Sequence, residues 1–361
     1  MNSVTDLVYW VAWSRLSKIG PTRFALLRRA FATLEQAWQA TAQQLKQIGF
    51  DDNLIQEIIL HRQQTDIEKS WQEIKTLKLN VTTVADDQYP TLLKEISDPP
   101  PVIYWQGNWE CVNSPALATV GARKITSYGQ QVIAKIIPAL AQAGICIVSG
   151  LAYGVDAACH QATLQASGKT IAVLASGLDQ IYPSANRYLA NKIIDAQGLL
   201  LTEHPPGVLP LRHHFPIRNR IIAGLARATL VIEAAQTSGA LITAKQALEY
   251  NRDVFAIPGS ILSEQSAGTN ELIRLGATPV SQPEEILNSF NLTAASGAGP
   301  KRQLTEMEAT IINLIKNEPQ HIDEIARLLH LPAGDITAKL SLLEIEGLVQ
   351  NAGNQNFVSL I

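Results

Sequence analysis

The chain has 361 residues, 46% hydrophobic and 17% charged, with a formal net charge of −3. That describes an ordinary soluble protein of two or three domains, and its global charge gives no reason to expect a nucleic-acid partner. No stretch approaches the roughly 18 apolar residues of a membrane helix, and Leu7 to Trp13 lacks the basic leader of a secretory signal. The three cysteines, Cys111, Cys146 and Cys159, form no CxxC pair, which points to buried free thiols, no metal and a reducing cytoplasm.

Residues 1 to 66 read as short helices, with apolar residues at helical spacing in Leu26, Leu27, Ala30 and Phe31 and in Leu54, Ile55, Ile58 and Ile59. The turns Ile19-Gly20-Pro21 and Ile48-Gly49-Phe50 separate them. The first is a weak helix-hairpin-helix pattern, which either offers backbone N–H groups to a phosphate or serves as a plain structural turn. A helix over 67–77 leads into a β-branched run over 81–84, a proline-rich stretch at Pro99-Pro100-Pro101 and a strand-like 102–105. Apolar strands then read over 116–120, 145–148, 170–174, 199–202, 229–233 and 253–257, with amphipathic helices between them. Short apolar strands spaced by helices of roughly 10–20 residues imply right-handed crossovers and a parallel sheet, an extended Rossmann-like α/β core. Pro138 falls inside the first of these helices and should kink it.

Residues 291–303, rich in Ala, Ser, Gly and Pro up to Lys301-Arg302, read as a linker. Beyond it, helices over 304–316, 322–329 and 336–346 and a hairpin around Gly353-Asn354 suggest a winged helix. The expected domains are 1–66, 67–290 and 304–361, with the linker at 291–303. Charge balances are −2 for residues 1–110, +2 for 111–290 and −3 for 301–361. Any polyanion site therefore belongs in the middle segment, as a local cluster.

Four turns there are rich in small residues: Val120-Gly121-Ala122-Arg123, Ser149-Gly150 through Asp156, Ser176-Gly177-Leu178-Asp179, and Thr237-Ser238-Gly239-Ala240, which opens the helix carrying Thr243 and Lys245. In a doubly wound sheet, ligands bind beyond the carboxyl ends of the strands, where helix N-termini suit phosphates. These turns read as phosphate or sugar recognition, with tight packing as the alternative. Gly121 lacks the following glycines of a dinucleotide fingerprint, and no glycine-rich stretch ends in Lys-Ser or Lys-Thr. NAD and ATP are not expected, nor any other cofactor.

The most specific stretch runs from Leu211 to Leu225 and holds Arg212, Phe215, Arg218, Asn219 and Arg220. On a helix starting near Pro216, Arg218 and Arg220 diverge by about 200°, so one faces the sheet and the other the ligand. A cation in an apolar layer needs a partner, and either arginine could be a structural mate of Glu203, Glu233 or Asp156. Phe215 is either core or a stacking ring. Guanidiniums beside an exposed aromatic grip a single strand, phosphates by charge and a base by stacking worth about 1–3 kcal/mol.

Gly121-Ala122-Arg123, Ser149 through Asp156 with His160, Gly177-Leu178-Asp179 with Tyr182-Pro183, Phe215 through Ile222, Ser238 through Thr243, Pro258-Gly259 and Gly268-Thr269-Asn270 strongly resemble the DNA-processing protein A family (DprA, or Smf). The match runs in order from about Asp86 to Val280, with a SAM-like helical domain before it and a winged helix after it. The resemblance implies a non-enzymatic protein that binds single-stranded DNA, forms a homodimer through the Rossmann-like domain near Asn270 to Thr278, and loads the RecA recombinase in natural transformation. Carried over by motif, the DNA contacts are Arg123, Arg212, Phe215, Arg218, Asn219 and Arg220, with support from Ser149, Gly150, Ser238, Gly239, Lys245 and Thr269.

The expected recognition helix of the winged domain offers Lys339 against Asp335, Glu344 and Glu346, so it should meet protein rather than duplex DNA. Two other readings of the core are a mononucleotide sensor and a phosphoribohydrolase. Against the enzyme, Glu233 through Ala240 lacks that class's double glycine and downstream glutamate, and His160, His204, His213 and His214 have no nucleophile arrangement. Replacing Arg123 or Arg218 by alanine is expected to abolish most single-strand binding without unfolding the chain.

Overall fold

The computed structural model of the chain describes residues 4–292, 304–316, 318–345, 348–353 and 355–359. Most of the expected linker, together with Glu346 and Asn354 of the expected winged helix, lies outside the described residues.

The N-terminal part is helical: α1 (Val4–Ser14), α2 (Pro21–Ala30), α3 (Leu34–Gln39), α4 (Ala42–Gln47) and α5 (Asp52–Gln64). Side chains of Thr33, Thr41 and Asp51 cap α3, α4 and α5 by accepting from the amides of Gln36, Gln44 and Leu54. Trp10, Trp13, Phe24 and Trp38 fill the centre, with Trp13 and Trp38 edge-to-face at 5.2 Å. At the first hairpin turn Arg23 donates to the Lys18 carbonyl at 2.7 Å, and Lys18 pairs with Glu57 at 2.5 Å. At the second, Lys46 pairs with Asp52 at 2.8 Å. These engaged cations favour the plain structural reading of both turns. The next helix, α6 (Ile67–Thr76), docks on α1 through Arg15 and Glu73, and Ser14 hydrogen-bonds Tyr104 of the sheet at 2.6 Å. One apolar core thus runs from Trp10 to Leu178 and Leu189.

The sheet has nine strands: β1 (Asn80–Thr83), β2 (Val102–Gly107), β3 (Ala116–Val120), β4 (Cys146–Ser149), β5 (Thr170–Val173), β6 (Leu199–Thr202), β7 (Ala228–Val231), β8 (Asp253–Ala256) and β9 (Thr278–Pro279). Their order is β1-β2-β6-β5-β4-β3-β7-β8-β9. From β6 to β9 every pairing is parallel, whereas β1 and β2 add an antiparallel edge beyond β6. Alternate residues of β3 face opposite layers: Ala116, Ala118 and Val120 one way, Leu117 the other. Continuous apolar runs are what a strand covered on both faces requires.

The short α7 (Thr91–Lys94) follows β1, and the crossovers carry α8 (Ser127–Gln142), α9 (Val155–Gln165), α10 (Arg187–Asp195), α11 (His214–Leu225), α12 (Gly239–Glu249), α13 (Ala267–Arg274) and α14 (Pro283–Ser289). One face is covered by α7, α11 and α12 through Leu93, Ile221, Leu225 and Ala244, and the other by α8, α9 and α14 through Ile133, Ile137, Cys159 and Leu287. Pro138 does not end α8, which runs on to Gln142. The C-terminal unit has α15 (Glu306–Leu314), β10 (Gln320–His321), α16 (Ile322–Leu329), α17 (Ala333–Ile345), β11 (Val349–Gly353) and β12 (Asn356–Ser359), a winged helix with sheet order β10-β12-β11. The two-residue β10 was too short to leave a sequence pattern. Lys339 on α17 lies 3.6 Å from Glu308. The three cysteines are buried and free, and no described helix is long and apolar enough to cross a membrane.

His160 on α9 is fully buried, with Nδ1 2.7 Å from the Thr170 hydroxyl. Burial, then the Arg218 charge, pushes its pKa down to about 3. Below its ordinary pKa of about 6.5 the unfolded chain takes up a proton that the native state refuses, so stability is full above that pH and declines as pH falls. We expect a lower melting temperature at pH 5 than at pH 7, with a smaller difference in His160→Asn, as measured by calorimetry.

Candidate functional site

The strand order reverses beside β3: β4, β5 and β6 follow on one side, and the chain returns to lay β7, β8 and β9 on the other. Turns leaving β3 and β7 diverge at such a switch point and open a crevice at the carboxyl ends of the strands. Here the crevice is a cleft of about 800 Å³. The turn after β3 brings Arg123 to it, the segment after β6 brings Arg212, Phe215, Arg218 and Asn219, and the start of α12 brings Ser238 and Gly239. Seven of the twelve expected contacts meet there.

The floor is organised around Arg218, which is 3% exposed. Its guanidinium donates to the carbonyl of Gly150 at 2.7 Å and to that of Val173, and its Nε lies 3.3 Å from Asn219 Oδ1. Asp156, also buried, accepts from the amides of Gly150 at 3.1 Å and Ala152 at 3.3 Å. Burial lowers the Arg218 pKa to about 10, with the Asp156 charge supporting the cation and Arg123 opposing it. Burial likewise pushes the Asp156 carboxyl up, while Arg218 and the two amides pull it back. A Cβ on Gly150 would collide with the guanidinium, and Gly154, at φ +75°, leaves no room for one against the Ala122 carbonyl. Both glycines serve the close approach of backbone to backbone and cation.

Above this floor sits Phe215, half-buried, with the Arg123 guanidinium 5.2 Å over its ring and that of Arg218 at 6.0 Å. Arg123 and Arg212 are exposed, and among the described residues neither has a carboxylate partner. The Ser238 side chain caps α12 by accepting from the Ala240 amide at 3.3 Å, and Gly239 is exposed at that helix start. Two free cations, an aromatic ring and a helix N-terminus on one rim suit a polyanion with flat bases.

The other expected contacts lie elsewhere. Arg220 is buried on the far side of α11, paired with Glu203 and, through Nε at 3.2 Å, with Asp98. Neither arginine of the Arg218/Arg220 pair faces solvent: both are 3% exposed, Arg218 donating to backbone carbonyls and Arg220 paired with Glu203 and Asp98. The Ser149 hydroxyl is buried and donates to the Thr119 carbonyl at 2.6 Å, and both polar backbone groups of Gly150 are already engaged. Thr269, 1% exposed, donates to the Ser266 carbonyl at 3.1 Å. In each the hydrogen-bond donor is engaged inside the protein, so none of the three offers a free donor to a phosphate. Lys245 stands outside the cleft on the exposed face of α12, 3.9 Å from Glu249. The third acid, Glu233, holds the start of α8 by accepting from the Thr126 amide at 3.0 Å and the Thr126 hydroxyl. The histidines pack: His204 stacks on His214 at 4.3 Å, and burial first, then its charged neighbours, lowers His204 to about 4.

Tyr182, a residue of the resembling motifs with no expected contact, lines the cleft with its ring 5.6 Å from Phe215 in an edge-to-face contact. The available signal was an exposed aromatic shortly after a glycine-bearing turn at a strand end.

The family described as DNA recombination-mediator protein A matches residues 80–291, and the DprA winged helix domain matches residues 295–354. Protein Smf of Synechocystis is 39% identical over 385 aligned residues, covering 96% of this chain and 96% of that one. Among solved structures, DNA processing protein A of Streptococcus pneumoniae matches with a TM-score of 0.68 at 37% identity, over 80% of this chain and 98% of that one. DNA processing protein A of Helicobacter pylori, described for its single-stranded DNA binding mode, matches with a TM-score of 0.53 at 29% identity, over 59% of this chain and 96% of that one.

Arg218 and Arg220 are both buried against acids, so a stability cost is expected from the loss of either, in addition to any loss of binding. Removing one partner of a buried pair strands the other charge, at a cost of about 3–5 kcal/mol. Arg220→Ala is expected to lower stability by about that amount in urea unfolding, and Arg218→Ala to destabilise as well, since Asp156 keeps its burial and loses its cation.

Proposed function

The chain belongs to the DNA recombination-mediator protein A family, and we propose that it binds single-stranded DNA in the switch-point cleft, without base-sequence specificity, and loads a RecA-type recombinase onto it in natural transformation. The observation that carries this reading is that Arg123 and Arg212, exposed and without a carboxylate partner among the described residues, line the cleft together with Phe215, over whose ring Arg123 lies. Charge and ring faces grip a strand without reading its bases. A relative whose structure is described by its single-stranded DNA binding supports the same ligand. The role proposed for the site is binding alone.

A homodimer through the outer end of the sheet belongs to the same proposal. There β9 is an edge strand with Thr278 and Pro279 exposed, and Leu275 beside it is 70% exposed. An open edge with a large apolar side chain suits coverage by a second copy. The winged helix, with Asp335 and Glu344 on α17, suits a protein partner better than duplex DNA. The proposed compartment is the cytoplasm, where buried free thiols persist.

The test is titration of a 20-mer single strand against its duplex, with recombinase filament formation on protein-coated DNA as the second readout. The single strand should bind more tightly, with log K falling against log salt by about 0.7 per phosphate neutralised. Arg123→Ala and Arg212→Ala should each weaken binding and reduce that slope by about 0.7 while leaving the melting temperature unchanged. Equal affinity for a mononucleotide would instead mark a nucleotide sensor.

A further inference from the structure

We infer that a base of the bound strand stacks on Tyr182, with Phe215 acting as the buttress that fixes the ring's angle; this rests on the cleft being a single-strand site. Phe215 is the aromatic that the sequence singles out, yet a base seeking its face meets a guanidinium already there, Arg123 at 5.2 Å. Tyr182 is in the opposite position. It is 43% exposed, it lines the cleft, and its ring meets Phe215 at an interplanar angle of 68°. Among the described residues no cation lies over its faces, and Phe215 is its only aromatic neighbour.

The segment bearing Tyr182 is tied down on several sides. The Ser176 hydroxyl donates to the Gln180 carbonyl at 2.7 Å, and Asp179 accepts from the Gly207 amide at 3.1 Å. Asn186 donates through Nδ2 to the carbonyls of Leu151 at 2.8 Å and Ala152 at 3.3 Å. Three loops, those after β4, β5 and β6, are thereby laced together around this ring. An aromatic already held in place loses little freedom when a ligand covers it. Every base has a π face, so a ring platform accepts all four. Arg123, which lines the same cleft, remains available for a phosphate of the strand.

The experiment uses the full chain and a 20-mer carrying 2-aminopurine, with the parent, Tyr182→Phe, Tyr182→Leu and Phe215→Leu compared. The parent should quench the probe, and Tyr182→Phe should keep both quenching and affinity. Tyr182→Leu, which retains bulk without a π face, should lose the quenching and weaken binding roughly 5- to 150-fold, the effect of losing one base stack. Its salt slope and melting temperature should match the parent's. Unchanged quenching and affinity in Tyr182→Leu, with loss in Phe215→Leu, would overturn the inference while leaving the cleft reading intact. A parent that binds no single strand overturns both.

Discussion

A guanidinium buried beneath an open cleft is the constraint on which this site depends. Arg218 cannot be left unsolvated, and the protein solvates it with the carbonyls of Gly150 and Val173 and the charge of Asp156. Those groups come from β4, β5 and the turn entering α9, so meeting the needs of one cation draws three parts of the sheet's carboxyl edge together. Gly150 must lack a side chain for the same reason, and the amides of Gly150 and Ala152 are aimed at Asp156 rather than at solvent. What looks in sequence like a phosphate cradle is, at this turn, the socket of an internal arginine.

The arginines consequently divide into two kinds. Arg218 and Arg220 are internal, each facing a buried or half-buried acid, and they fix how α11 lies on the sheet. Arg123 and Arg212 sit on turns at the rim and have no carboxylate partner among the described residues. Internal cations contribute position and a positive background potential, whereas rim cations can exchange counterions for phosphates. Arg123 links the two sets by contact: its guanidinium lies over Phe215, and the buried Arg218 lies near the same ring.

The remaining parts of the chain keep this edge accessible. The N-terminal helices and α10 share a core at the β2–β6 side, away from the switch point, and the covering layers of α8, α9, α11 and α12 leave the strand ends uncovered.

Much of the fold was legible because its signals are local. Six apolar runs separated by amphipathic helices appear as strands within two residues of their expected bounds, since a strand buried on both faces must be apolar throughout. The parallel direction of the central pairings followed from the helical crossovers, but the antiparallel edge of β1 and β2 and the strand order were not legible, because they depend on which edge of the sheet remains open. At the site, the sequence determined which residue types were available, namely glycine-bearing turns, four arginines and an aromatic clustered in the middle of the chain. Only the tertiary structure decided which of them face a ligand. A guanidinium has the same local signature whether it meets solvent or a carboxylate, and its partners, Glu203 for Arg220 or Gly150 for Arg218, lie 17 and 68 positions away. Tyr182, though part of a recognised motif, had no expected role for the converse reason: its place beside Phe215 is made by two loops meeting across the sheet edge, and no spacing along the chain records that meeting.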